Sequence, residues 1–292
     1  MRSDAVELHD TGSRDRLPAR SGGTSPVSGI AREVVVAHAA QPGWAATRLR
    51  DRLHLIRRTR HAIACRAGEL AAAVVRPQRR SVADVLVAEV LPLADSCRFL
   101  EREAEEILAP RRLSARSRPL WLRGVSVEVR HEPLGVVLVI GPSNYPLFLP
   151  TVQALQALTA GNAVILKPGK GGLSAAMAMA QVLETAGLDM RLFRVLPEAP
   201  DGARLAIATG VDKVLLTGSV GTGAAVLAEL APHLTPATLE LSGCDAAFVR
   251  DDADLELAAR ALVFSLRLNA GATCIAPRRV FVARSVMGVL EA

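Results

Sequence analysis

The chain is poor in aromatic residues: six Phe, two Trp and one Tyr make up 3% of its 292 residues. A core built on large rings is thereby excluded. The hydrophobic half of the chain must pack as Ala, Val and Leu, which favours an α/β arrangement over an aromatic-rich sandwich. Four cysteines, Cys65, Cys97, Cys244 and Cys274, form no CxxC pair and no cluster with histidine. That spacing speaks against a zinc or other metal site and against a disulfide framework, and it fits a cytoplasmic protein. No stretch reaches about 18 uninterrupted apolar residues, so no membrane anchor is expected. The N-terminal segment also lacks the apolar centre of a signal peptide.

Charge is the next thing to weigh. The net +6 comes mostly from arginine, concentrated in the N-terminal part, as at Arg57, Arg58, Arg60, Arg76, Arg79 and Arg80. Nucleic-acid binding is one reading. No aromatic residue interleaves with these charges and no nucleic-acid motif accompanies them, so they read as a solvated helix surface with no nucleic-acid partner.

Residues 1–30 carry too little apolar surface to offset the entropy of ordering and read as a disordered tail. From Trp44 onward, Leu49, Leu53, Ile56 and Ile63 recur on one face of an amphipathic helix, which Pro77 ends. A second helical stretch runs from Ser81, a plausible N-cap, to about Ile107. Between Trp121 and Arg130, Val125, Val127 and Val129 alternate with polar residues as in a half-exposed strand. Beyond Pro133 the texture changes to short continuous apolar runs, LGVVLVIG, NAVILKP, RLFRVLPE and KVLLTGS, separated by Ala-rich helical patterns such as Leu173–Ala186 and Ala224–Leu230. Strands covered on both faces require such runs, so the fold class is α/β, a parallel Rossmann-like sheet with crossover helices.

Four places carry chemistry. Cys274 follows a Gly/Ala/Thr loop in NAGATCIAP, where a thiol can be reached by substrate, although the local sequence alone favours a small buried packing residue. Glu240 stands inside the apolar run ATLELSG. There it is either a carboxylate shifted by burial toward general-base duty or an edge-strand Glu facing water. In LLTGSVGTG, Gly218, Ser219, Gly221 and Gly223 lie at a strand-to-helix junction where bare backbone can approach a phosphate, or simply make a tight turn. Lys167 and the following Pro168 end the run NAVILKP, where a cation can meet a cofactor ribose or phosphate, or solvent alone.

In order, PLGVVLVIGPSNYPL, GNAVILKP, VDKVLLTGS, LTPATLELSG and NAGATCIAP resemble the aldehyde dehydrogenase superfamily, over residues 44 to 284. The NYP and TCIAP contexts are most similar to its class 3, or fatty aldehyde, branch. The resemblance implies NAD(P)-dependent oxidation of an aldehyde to a carboxylic acid. Cys274 would be the nucleophile, forming a thiohemiacetal and then a thioester, and Asn144 would hold the oxyanion. Glu240 would activate the hydrolytic water. It implies further that Lys167 contacts the adenine ribose and that Gly218, Ser219 and Gly223 form the turn under the pyrophosphate.

Departures from the family pattern qualify that picture. Lys170 stands where a Glu often holds the ribose hydroxyls, which leaves NADP as open as NAD. Cys244, beside Ser242, reads as a packing residue. The family's E-x-F-G-P segment does not occur. The expected organisation is therefore a tail, 1–30, then N-terminal helices and a dinucleotide-binding domain, 31–243, and an incomplete catalytic domain, 244–292. Within the second unit, 121–137 includes an oligomerisation-type strand segment lacking its partner. A truncated chain of this kind would form a homo-oligomer, rely on a complementing chain, or act only as a non-catalytic homologue that binds nucleotide. An acylating enzyme that passes the thioester to coenzyme A is disfavoured by Glu240.

Overall fold

Apolar runs without alternation need cover on both faces. The structure, a computed structural model describing residues 26–74, 81–114, 116, 119–122 and 124–291, meets that need with a five-stranded parallel sheet. Ahead of it come helices α1 (Pro26–Ala45), α2 (Leu49–Cys65) and α3 (Ala67–Val74). Next, α4 (Val82–Val85) runs through a π-helical turn at Leu86–Val90 into α5 (Leu91–Leu108). A small antiparallel pair, β1 (Arg111–Arg112) with β2 (Glu128–Val129), precedes the sheet.

The sheet itself is β3 (Val136–Ile140), α6 (Phe148–Thr159), β4 (Ala163–Lys167), α7 (Leu173–Thr185), β5 (Phe193–Val195), α8 (Pro200–Thr209), β6 (Lys213–Gly218), α9 (Val220–Leu230) and β7 (Ala237–Leu241). Its order is β5-β4-β3-β6-β7. Every residue of β3 and β4 is buried. Helices α1 and α8 pack against the sheet, as do α6 and α7, and the latter pair is overlaid by α2, α3 and α5. Because the chain winds from β3 out to β5 and then returns to β6, strand order reverses between β3 and β6. At such a point the loops leaving the two strands part and open a crevice at the C-terminal edge. After β7 the chain forms a separate parallel pair, β8 (Asp245–Val249) with β9 (Pro277–Val282), together with α10 (Leu255–Arg267) and α11 (Met287–Glu291).

Several sequence expectations change. Pro26 to Ile30 belong to α1, and Ile30 is buried, so that part of the expected tail is ordered; the rest of the tail, residues 1–25, lies outside the described residues. Pro77, Arg76, Arg79 and Arg80 lie outside them as well. The long α1 escaped the sequence reading because Pro42 and Gly43 sit inside it. The alternating stretch from Trp121 pairs only at Glu128–Val129, after a 3-10 turn at Leu120–Leu122. Within the chain it pairs with β1. Ser81 caps α4 as expected, in a reciprocal capping box with Asp84.

Candidate active site

Asn144 lies in the loop 141–147 that leaves β3 at the reversal of strand order. Its Oδ1 accepts from the backbone N–H of Tyr145 at 3.0 Å, which turns Nδ2 across the crevice to donate to the Ala272 carbonyl at 2.9 Å. Asn269 reaches back, its Nδ2 donating to the Asn144 carbonyl at 2.9 Å and to the Ala272 carbonyl at 3.1 Å. The Tyr145 hydroxyl bonds Thr273 Oγ1 at 2.9 Å. These contacts tie the cysteine loop directly to the asparagine loop. The Asn144 loop is also pinned from below: a Cβ on Gly169 would stand 2.3 Å from the Pro142 backbone, so only glycine permits the loop after β4 to lie against it.

The approach to Cys274 is conformationally strained. Asn269 and Ala270 both hold left-handed backbone, φ 52° and 53°, and Gly271 follows at φ 77°. Asn tolerates this region; Ala there costs on the order of 1 to 2 kcal/mol, and such strain persists only where surrounding contacts enforce it. Cys274 emerges from this turn exposed, not as a buried packing residue.

Glu240 lies on β7, opposite Thr217 of β6, and β7 is the sheet edge. Its carboxylate is exposed, so the buried setting that its apolar neighbours allowed is not what the fold provides. Cys274, Glu240 and Asn144 line one cleft of about 330 Å³, together with Gly218, Ser219 and Ser242. Ser219 caps α9, its Oγ accepting from the Thr222 N–H at 3.2 Å. Gly223 does not face the cleft: a Cβ there would meet the Leu241 side chain at 2.9 Å, so its bareness serves the packing of α9 on β7.

Lys167, Pro168 and Lys170 sit one strand away, outside this cleft lining. Lys167 is buried, and burial pushes its ammonium below the ordinary lysine value while the Glu198 carboxylate pulls it back up. Glu198 follows β5 and accepts from the Gly171 N–H at 2.7 Å and the Leu173 N–H at 2.8 Å, filling the start of α7. Sequence reasoning missed Glu198, Asn269 and Thr273. For Asn269 a signal existed, since Asn before Ala-Gly is a residue suited to left-handed backbone. Cys244 is exposed, which corrects its reading as a packing residue, and its carbonyl accepts from Arg279 Nη2 at 2.8 Å. Among the described residues no group of His, Cys, Asp and Glu could hold a metal ion, and no helix is long and apolar enough to cross a membrane.

Comparison with known proteins adds the following. A sequence model of the aldehyde dehydrogenase family matches residues 25–291. Betaine aldehyde dehydrogenase 2 of Rhizobium meliloti (strain 1021) is 34% identical over 266 residues, 91% of this chain and 53% of the relative. Aldehyde dehydrogenase family 3 member A2 of Rattus norvegicus is 31% identical over 229 residues, 78% of this chain and 46% of the relative. The solved structure of lactaldehyde dehydrogenase from Escherichia coli superposes with a TM-score of 0.82 at 30% identity, covering 90% of this chain and 54% of that one. The chain spans about half the length of the curated relatives it matches.

Proposed function

The chain belongs to the aldehyde dehydrogenase family, and from that premise we propose that it takes part in oxidising an aldehyde to a carboxylic acid with Cys274 as nucleophile. The observation that carries this reading is the shared cleft of Cys274, Glu240 and Asn144 at the C-terminal edge of the sheet. In the first step the Cys274 thiolate adds to the carbonyl carbon, and the carbonyl electron pair becomes an oxyanion. Asn144 Nδ2 has two protons; one is used on the Ala272 carbonyl, leaving a second to donate to that oxyanion, alongside the Cys274 backbone N–H. NAD(P), when bound, supplies the hydride acceptor. The resulting Cys274 thioester is opened by water: Glu240 takes a water proton, the hydroxyl oxygen adds to the acyl carbon, and the sulfur leaves as thiolate. An exposed base suits this role, because it draws its water from solvent.

The residues present fit a dinucleotide. Gly218 and Gly221 leave bare backbone at the start of α9, with open space where a side chain at Gly221 would project, and Lys167 brings a buried cation to a neighbouring strand end. We read the cofactor as NAD rather than NADP. Lys170 removes a carboxylate from the start of α7, but Glu198 supplies one there, on the Gly171 and Leu173 amides, and a carboxylate in that place repels a 2′-phosphate. The apolar Leu149 and Leu241 in the cleft wall favour an aldehyde with a hydrocarbon tail.

The test is intact-mass analysis of Glu240→Gln incubated with hexanal and NAD. A hexanoyl adduct mapping to Cys274 is expected, absent from Cys274→Ala. No adduct in Glu240→Gln, together with no aldehyde-dependent NADH from the unaltered chain, would overturn the proposal.

A further inference from the structure

We infer that Glu89 is a positioning residue for the Asn144 amide, acting through the start of α6; the inference rests on the oxyanion role proposed for Asn144. Glu89 is completely buried, 0% exposed, within the π-helical turn between α4 and α5. A buried carboxylate is costly unless specific donors meet it. Two of its contacts are to backbone amides of another element: Glu89 Oε2 accepts from the Leu147 N–H at 2.8 Å and the Phe148 N–H at 3.0 Å.

Those two amides open α6. Its N-cap residue is Leu147, whose apolar side chain offers no cap of its own, so the first amides of the helix depend on a partner from elsewhere. A charged acceptor at a helix N-terminus is also favoured by the helix dipole. Glu89 therefore fixes where α6 begins, and Asn144 stands only three residues before Leu147. At its other end the same loop is held by the Gly141 N–H donating to the Lys167 carbonyl at 2.9 Å and by the close approach of Gly169. With both ends clamped, the backbone that carries Asn144 is held by the two anchors, and the bonds of Asn144 to Tyr145 and Ala272 then aim Nδ2. An oxyanion donor works over a window of a few tenths of an ångström, and a misplacement of about 1 Å costs on the order of 100-fold in rate. The π-helical turn belongs to the same account: turns of this kind recur where a helix must present one residue for a function.

The experiment separates positioning from bare stability. p-Nitrophenyl acetate acylates a reactive cysteine through an oxyanion: Sγ adds to the ester carbonyl, p-nitrophenolate leaves, and the acetyl group stays on sulfur. Iodoacetamide alkylates the same sulfur by displacement of iodide, with no oxyanion. Modification of Cys274 by each reagent is followed by peptide mass mapping. Glu89→Gln keeps the size of the side chain and loses its charge. Acetylation of Cys274 is expected to fall about 10-fold in Glu89→Gln and about 100- to 1,000-fold in Asn144→Ala, with alkylation unchanged in Glu89→Gln. Since Glu89 acts through Asn144, the double variant should be no slower than Asn144→Ala alone. Glu89→Asp, which keeps the charge and shortens the reach, should fall between Glu89→Gln and the unaltered chain, and it serves as the test should Glu89→Gln fail to fold.

Acetylation at the unaltered rate in the Glu89 variants, or losses that multiply with Asn144→Ala, would overturn the inference. An Asn144→Ala chain that acetylates normally would instead overturn the oxyanion assignment, and this inference with it.

Discussion

The sheet up to Leu241 and the segment from Asp245 to Glu291 are built on opposite terms. In β3 and β4 every side chain is buried, and each fully buried Val, Leu or Ile stabilises by roughly 1.5 to 3 kcal/mol. In α10 no residue is buried, β9 is mostly exposed, and Phe248 and Phe281 stack at 5.1 Å between ring centroids while remaining open to solvent. Yet the cleft takes residues from both: Asn144, Gly218 and Glu240 from the first, Cys274 from the second. Rigidity therefore resides in one region and the nucleophile in the other. The geometry between them depends on a few hydrogen bonds, from Asn144 to Ala272, from Asn269 to Asn144 and between Tyr145 and Thr273.

That contrast can be tested from its strongest claim downward. Leu138→Ala, at a fully buried position of β3, should cost about 2 to 5 kcal/mol in denaturant unfolding. Phe264→Ala, on the exposed face of α10 at 68% exposure, should cost within about 0.5 kcal/mol. Equal losses would break the comparison. Asn269→Ala removes the bond to the Asn144 carbonyl and the one to the Ala272 carbonyl, and puts a residue poorly suited to left-handed backbone at φ 52°. Acylation of Cys274 should slow by about 10- to 100-fold, as a misplacement near 1 Å does. NAD binding, followed by titration calorimetry, should be unchanged, because the proposed cofactor contacts lie wholly in the sheet region.

Within that region, Glu198→Gln should raise the ratio of NADP to NAD affinity by about 10-fold through lost repulsion; an unmoved ratio would remove Glu198 from cofactor choice.

The smallest effect concerns the thiols of Cys97 and Cys274. Burial first, and then the Glu101 carboxylate nearby, push the Cys97 thiol up to about 12 from 9.0. The unfolded chain releases this proton above pH 9.0 while the folded chain retains it to about 12. The stabilisation is thus full below pH 9 and lost as pH rises through that window. Cys97→Ala should flatten the alkaline part of the stability curve, and at pH 8 iodoacetamide should label Cys274 well before Cys97.

Much of this arrangement was legible in the residues. The runs VVLVI and AVILK could only be central strands, because a strand buried on both faces has no place for alternation, and the crossover helices follow from parallel pairing. Ser81 was readable as a cap because its partner, Asp84, is three residues away. Distance in sequence hid the rest. Glu89 meets Leu147 across 58 positions and Asn144 meets Ala272 across 128, so no local pattern announces either bond. Alternation misled at Val125–Val129, where it was a property of composition and only Glu128–Val129 pairs.

The chain's own order of residues determined the strands and the crossovers, because hydrophobic period acts over a few residues, while Cys274, Glu240 and Asn144 became candidates through the ordered resemblance of five segments to the aldehyde dehydrogenase family. Only the tertiary structure decided that Glu240 sits on an edge strand facing water, that Gly223 serves packing, that Glu198 fills the start of α7, and that Glu89 holds the start of α6. Which face of a strand is covered, and which distant carboxylate meets an open helix end, depends on what the rest of the fold brings alongside, and that is settled by packing rather than by neighbours in the chain.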